Sequence, residues 1–485
     1  MRAVGDIKKN EAFIKRKLEN GDAVFSNVSV GGKKALLIYI DALVDNGAVS
    51  EHILKPLYKL RPPINADKLV EKLPKAGSKV TGDLDGAVNA VIDGQAVLLV
   101  DKMPEAVLFD VKKPESRTVA EPPTSAVVKG PREGFTESIK TNLSLIRRRL
   151  KTNELKIEKF KVGRVTKTDV FMLYLNNVTD DKVVEKVKSR VGAIDIDGVI
   201  DSSYIAKFIA EHKASLFKQS GTTEKPDILA AKMLEGRVGI LVDGSPIALT
   251  VPYLLFEDFQ SSEDYFQNSY RSNMARMIRL ISITLAILLP SVFVSAQLFH
   301  LQIIPLNFLL TIVNSIKGIP LSPSLEMFFT LVVFEILNEA SIRMPKYVGM
   351  ALSIVGALVL GDTAVRAGIV STPAIMIMAL SGICLYTVPE LVDSMSFLRL
   401  IFLFTAGSLG GFGIVVLSAM LLVYLVSLEN FDTPFLAPFA PLVKEDLKDG
   451  ALMTFLPDMT TRPVTLKPKN KVRIKVGRNY DGRRR

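Results

Sequence analysis

The sequence predicts an α/β cytoplasmic region with two similar subdomains, followed by a multi-pass α-helical transmembrane domain. Three observations carry this reading. Charge is dense through residues 1–270 and almost absent from long runs within 277–429. Two stretches of the charged half repeat one another in the same order. Basic residues gather where the apolar half begins and again at the end, as expected of segments beside an anionic membrane surface. At 485 residues the chain also exceeds the ~250–300 residues at which one core stops growing. Its 48% hydrophobic content and mean hydropathy of +0.28 are averages over two unlike halves.

The expected order is a first subdomain (1–113), a linker and basic helix (114–153), a second subdomain (154–270), a membrane domain of five or six helices (271–442), and a basic cytoplasmic tail (443–485). The opening MRAVGDIKKNEAFIKRKLENG has no apolar core behind its charges, so it does not read as a signal peptide. GQAVLLVDKMP (94–104) aligns with GRVGILVDGSP (236–246), each a buried strand closed by an aspartate-led turn. YIDALVDNGAVSEHILKPL from Tyr39 resembles YLNNVTDDKVVEKVKSRV from Tyr174, each a strand, a polar turn and a helix. Between the modules lie a Pro/Thr/Ser/Val linker (114–129) and a helix over Thr136–Leu150 carrying Arg147, Arg148 and Arg149. These arginines are either a solvated surface or a contact with a sister subunit or lipid headgroups. FKQSGTTEKPD (217–227) reads as an exposed loop, with a helix beginning near Pro226.

The first span, Met277–Phe299, is long enough for a ~30 Å hydrocarbon layer and contains Pro290. A proline there is tolerated when a neighbour satisfies the carbonyl it frees. Its basic leading flank places the amino-terminal region in the cytoplasm. Residues 306–316 are a surface loop or a short re-entrant segment. Further spans cover Glu326–Ala340, Tyr347–Leu360, Ile369–Val388 and Phe397–Leu428, the last too long for one untilted crossing. Two cytoplasmic termini require an even number of crossings, whereas five are evident. Either the last stretch crosses twice through a break near Gly410–Gly413, or 306–316 or 435–443 enters the membrane.

Polar residues at membrane depth are costly and point to function. Glu335 and Glu339 share a helix face, and Asp362 and Arg366 can pair across one turn. With Glu390 they are the candidate pore or gating groups; Arg147, Arg148 and Arg149 are candidates for a subunit interface. The net charge of +11 is explained by the membrane flanks, so nucleic acid is not an expected partner. Cys384 alone allows no intramolecular disulfide. His52, His212 and His300 lie far apart, no phosphate-binding GxxxxGK[ST] is present, and Asp195, Asp197 and Asp201 read as a turn. Neither an enzyme nor a cofactor or metal is expected.

The motifs PREGFTESIKTNLSLIRRRLK (131–151), KTDVFMLYL (167–175), AIDIDGVIDSSYI (193–205), EKPDILAAKMLEGRVGILVDGSPIALTVP (224–252), FEILNEASIRMP (334–345), SIVGALVLGDTAVRAGIVS (353–371) and LAPFAPL (436–442) together resemble the A subunit of GerA-type nutrient germinant receptors of endospore-forming bacteria. The resemblance spans nearly the whole chain. It implies a spore inner-membrane protein acting with a transporter-like B subunit and a lipoprotein C subunit. It also implies a homo-oligomer, pentameric in the family picture, that releases monovalent cations when a germinant binds. The alternatives are a non-conducting membrane scaffold that relays a signal and, third, a secondary transporter. Two departures stand out: Asn338 where the family's FEILREAG-like motif has arginine, and Asp362 and Arg366 where glutamine and glutamate are common. Loss of the arginine would remove a countercharge for Glu335 and Glu339.

Overall fold

The computed structural model describes residues 1–18, 21–73, 77–113, 129–345, 356 and 359–474. All but the last residue of the expected linker at 114–129, most of the Tyr347–Leu360 span and the end of the tail lie outside them.

Alternating apolar residues and glycine-led turns form ten of the strands. The first unit contains β1 (Ala23–Val30), β2 (Lys33–Ile40), β3 (Lys79–Thr81), β4 (Ala96–Val100) and β5 (Ala106–Phe109) in the order β1-β2-β4-β5-β3. The second contains β6 (Leu155–Val162), β7 (Thr168–Leu175), β8 (Gly221–Thr223), β9 (Val238–Val242) and β10 (Ala248–Val251) in the order β6-β7-β9-β10-β8. The correspondence extends to register. Leu98 faces Val107 as Ile240 faces Leu249, Val100 faces Ala35 as Val242 faces Val170, and Thr81 faces Ala106 as Thr223 faces Ala248. Gly94 and Gly236 precede the matching strands with φ of 87° and 114°, a conformation only glycine adopts cheaply. The repeat read from the sequence is therefore a repeat in space.

Helices α1 (Ile7–Lys17), α2 (Ala66–Lys72) and α3 (Leu84–Ile92) belong to the first unit, and α4 (Ile139–Arg149) lies between the two. Helices α5 (Asp181–Gly192), α6 (Ser202–Ile209) and α7 (Pro226–Glu235) belong to the second. Because strand side chains alternate, each sheet has two apolar faces to cover. Leu36, Ile38, Val97 and Leu99 of one sheet share a core with Phe171, Leu173 and Leu241 of the other, filled by α3, α4 and α7. The outer faces are closed separately, by helical turns over 46–59 and α2 in one unit and by α5 and α6 in the other.

α4 also carries the strongest tie between the units. Arg147 is completely buried, with Nε and Nη2 donating to the two oxygens of Asp22 at 2.9 and 2.7 Å. Arg147, one of the candidate interface residues, is thus turned into the interior of this chain. Arg148 and Arg149 both reach Glu133, at 3.0 and 2.7 Å, and keep part of their surface in solvent. The stretch 217–227 differs from the exposed loop expected. Phe217, Gly221, Thr223 and Lys225 are buried, and 221–223 is the edge strand β8. Pro226 does open α7, at its first helical position. Asp195 and Asp197 face Arg164, and Asp201 caps α6.

The apolar half holds α8 (Ser269–Phe299), α9 (Leu306–Ile316), α10 (Pro323–Arg343), α11 (Thr372–Leu385) and α12 (Val392–Ser427). Two described helices, Ser269–Phe299 and Pro389–Ser427, are long and apolar enough to cross a membrane; α9 and α11 are apolar but shorter. Pro290 sits inside α8 and cannot donate to the carbonyl of Ala286. The Ser381 hydroxyl of α11 donates to that carbonyl instead, at 2.7 Å. α12 is not one rod. Ser394 donates to the Leu216 carbonyl at 2.8 Å, while the Leu216 N–H donates to the Tyr424 hydroxyl at 3.2 Å. A straight helix would set residues 394 and 424 about 45 Å apart. The chain reverses at Gly410 (φ 60°, ψ −147°), where a Cβ would lie 2.7 Å from the Phe299 ring. The break expected near Gly410–Gly413 is this reversal.

Gly410→Ala should therefore destabilise the chain by about 1–3 kcal/mol from backbone strain, with further loss from the ring contact. A lowered melting temperature in detergent would show it, and an unchanged one would contradict the reversal. Arg147→Ala should cost about 3–5 kcal/mol by stranding Asp22. In chemical unfolding, the Arg147→Met/Asp22→Leu pair should recover much of that loss.

Candidate functional site

Two clusters of buried charge stand where one part of the chain must hold another. The first joins the second α/β unit to the apolar helices. It begins at residues 215–218, which run from α6 towards β8. Leu216 is held by both arms of α12, as described above. Phe217 packs against Tyr424 and Phe435, and Tyr253 meets Phe435 edge-on with ring centres 5.6 Å apart. Lys218 then reaches Glu390, in the turn between α11 and α12, at 2.5 Å and Asp258 at 3.1 Å. The Thr222 hydroxyl donates to the same Glu390 oxygen at 3.0 Å.

The titration shifts follow from these positions. Burial works against the Lys218 charge, but the Asp258 and Glu390 carboxylates outweigh it and raise its pKa. Burial raises the Asp258 pKa, and with the nearby Glu390 carboxylate it outweighs the opposing pull of Lys218 and the Tyr253 hydroxyl. Glu257, buried beside them, accepts from Arg237 at 2.8 and 3.0 Å and pairs with Lys232 at 2.8 Å. Burial would raise Glu257, yet those two cations hold it below the ordinary carboxylate range.

A few residues on, the start of α8 is clamped from two directions. Arg276 donates to Asp264 at 2.9 Å and to Asp449 of the tail at 2.8 Å. Arg279 makes a two-pronged contact with Asp264 at 2.8 and 2.9 Å. Asp264 is buried, but Arg279 and Arg276 lower its pKa. The tail returns to the second unit, where Lys469 pairs with Asp181 at 2.6 Å.

The second cluster lies among the apolar helices. Arg399 of α12 is completely buried; Nη2 donates to Glu335 of α10 at 2.5 Å and Nη1 to Ser381 of α11 at 3.2 Å. Since Ser381 donates to Ala286, one chain of hydrogen bonds links α10, α12, α11 and α8. The Phe334 ring lies 5.6 Å from the guanidinium. Alongside is a cavity of about 370 Å³ whose lining includes Phe334, Asn338, Met378 and Tyr386.

Among the described residues no group of His, Cys, Asp and Glu is placed to hold a metal ion. The sequence family described as Bacillus/Clostridium GerA spore germination protein matches residues 11–465. Spore germination protein KA of Bacillus subtilis (strain 168) is 35% identical over 477 residues, covering 96% of this chain and 88% of that protein. The chain belongs to the GerA spore germination family, as an A subunit. A membrane protein of the same organism, YfkQ, is also 35% identical, with 93% and 91% covered. The crystal structure of the N-terminal domain of the A subunit of the Bacillus megaterium spore germinant receptor GerK3 is 29% identical. It covers 53% of this chain and 98% of its own, with a TM-score of 0.42.

Within this GerA-family chain, the candidate pore residues fall in different settings. Glu335 meets Arg399, so the missing arginine at Asn338 does not leave it without a countercharge. Glu339 pairs with Arg343 on an exposed helix face at 2.7 Å, and Asp362 pairs with Arg366 at 2.8 Å, as the four-residue spacing suggests. Glu390 sits at the junction with Lys218. Sequence reasoning missed Arg399, Lys218 and the Arg237–Glu257 pair. For Arg399 a signal existed: a cation just inside a long apolar run.

Glu257→Gln should lower stability by about 3–5 kcal/mol at pH 7 by leaving Arg237 and Lys232 short of a charge. Because the folded pKa of Glu257 is depressed, its contribution is full above the ordinary value of ~4.3. It is lost as pH falls through the lower folded value. Melting curves should therefore show a gap between wild type and variant at pH 7 that closes only below about pH 4.

Proposed function

We propose that this A subunit serves in a nutrient germinant receptor of the spore inner membrane and forms, as a homo-oligomer, a germinant-gated path for monovalent cations. The transporter-like B subunit and lipoprotein C subunit are its expected partners. In this reading the membrane domain crosses six times: α8, α10, α11, the two arms of α12 and the Tyr347–Leu360 span expected from the sequence. Both ends of the chain then lie on the cytoplasmic side.

The observation that carries the proposal is the pair of buried Arg399 with half-buried Glu335, hydrogen-bonded through Ser381 to the carbonyl freed by Pro290. Burying the Arg399 charge is costly unless a carboxylate answers it, and an apolar side chain in its place would often be as stable. A pair at membrane depth is suited to a two-state element: broken, it releases a carboxylate that a symmetric ring would multiply into a cation-attracting site. The Lys218–Glu390 contact gives the cytoplasmic unit a direct hold on the turn between α11 and α12.

A relay without conduction is favoured by a different observation. Glu335, Glu339, Asp362 and Glu390 each have a cationic partner within one chain. Flux of K⁺ or Na⁺ from liposomes containing the chain and its partner subunits separates the two. The channel reading expects ligand-triggered flux that is slowed or altered in selectivity by Glu335→Gln or Glu339→Gln. It also expects flux to be raised by Arg399→Gln, which leaves Glu335 unpaired. Absence of flux together with a monomeric A subunit would favour the relay.

A further inference from the structure

We infer that a cavity at the junction binds a hydroxyl-bearing phosphate, held by Lys225 and the first turn of α7. The cavity measures about 500 Å³ and is bounded by that turn, the segment 257–266, Arg279, the turn 387–390 and Arg473 of the tail. Five separate parts of the chain therefore share one wall.

Most charges around it are in ion pairs; among the described lining residues Lys225 and Asp227 are the exceptions, each with a buried atom that lacks a hydrogen-bond partner. Glu257 is neutralised by Arg237 and Lys232, Arg279 by Asp264, and Asp258 and Glu390 by Lys218. Lys225 lines the same cavity with no exposed surface, and its ammonium has no hydrogen-bond partner. A buried ammonium left so costs several kcal/mol unless an anion answers it. Lys225 is also the N-cap of α7 and supplies no side-chain acceptor to the first-turn N–H groups. Those groups and the helix dipole favour an anion at the same end. At the cavity's edge Arg473 is only loosely engaged, 3.8 Å from Glu235.

Asp227 narrows the chemistry. It stands in the first turn of α7, lines the cavity, and one of its oxygens lacks a partner. A fully deprotonated anion would be repelled there. A monohydrogen phosphate, or a phosphate ester with a neighbouring hydroxyl, places acceptor oxygens on Lys225 and donates its O–H to Asp227. Inorganic phosphate, a soluble phosphate ester and a phosphatidylglycerol headgroup all offer that pattern.

The test uses the full chain in phosphatidylcholine nanodiscs, with melting temperature followed as phosphate or sulfate is added at constant ionic strength. Phosphate should raise it saturably, while sulfate, which has no donor, should not. Lys225→Met should weaken the phosphate response about tenfold or more, as loss of a charge-assisted contact implies, and Lys225→Arg should restore part of it. Arg473→Gln, at the opposite end of α7 from Lys225, should weaken it less and serves if Lys225→Met does not fold. Nanodiscs containing phosphatidylglycerol that raise the wild-type melting temperature and abolish the phosphate response would assign the site to the headgroup. Equal responses to phosphate and sulfate, or no Lys225-dependent response to phosphate or phosphatidylglycerol, would overturn the proposal. The outcome does not depend on whether the chain conducts ions.

Discussion

The reversal of α12 at Gly410 is the constraint on which the rest of the molecule depends. Only a residue without a Cβ fits beside Phe299 at that φ and ψ, and only a reversal brings Ser394 and Tyr424 to one peptide unit at Leu216. With the helix doubled back, the tail begins on the side where the α/β units stand. Asp449 can then meet Arg276, and Lys469 can meet Asp181. A straight α12 would carry all these groups to the far end of the bundle.

Three arginines mark the joints of this architecture: Arg147 between the two α/β units, Arg276 between the segment after the second unit, α8 and the tail, and Arg399 among the apolar helices. Each is buried and each meets a carboxylate from a distant part of the chain, Arg276 through Asp449. Arginine suits such places because its planar fork satisfies a carboxylate in two directions and its charge persists under burial. These contacts gain little net stability over apolar packing. They do penalise any misaligned arrangement, because separation strands two charges. Joints of this kind favour discrete positions over gradual bending.

The two α/β modules share strand order and register yet are used differently. The first closes its outer face with its own helices. The second turns the β8–α7 edge towards the apolar helices, so that Lys218, Thr222, Lys225 and Glu257 all come from that module or the chain leaving it. In a GerA-family A subunit this gives the second module the direct mechanical contact, and leaves the first to act through Arg147 and the shared core.

Much of this was legible in the sequence where the physics is local. The division into charged and apolar halves, the repeated strands around Asp101 and Asp243, the start of α7 at Pro226, the break at Gly410 and the Asp362–Arg366 pair all rest on neighbours within a turn or a pleat. Periodicity, glycine and proline encode such features directly. The joints were not legible. Arg147 and Asp22 are 125 residues apart, Lys218 and Glu390 172, Arg276 and Asp449 173, and Arg399 and Glu335 64. A long cationic side chain carries no record of which carboxylate it will meet. That choice is made when whole helices and sheets pack, and a buried charge accepts only the arrangement that leaves it paired.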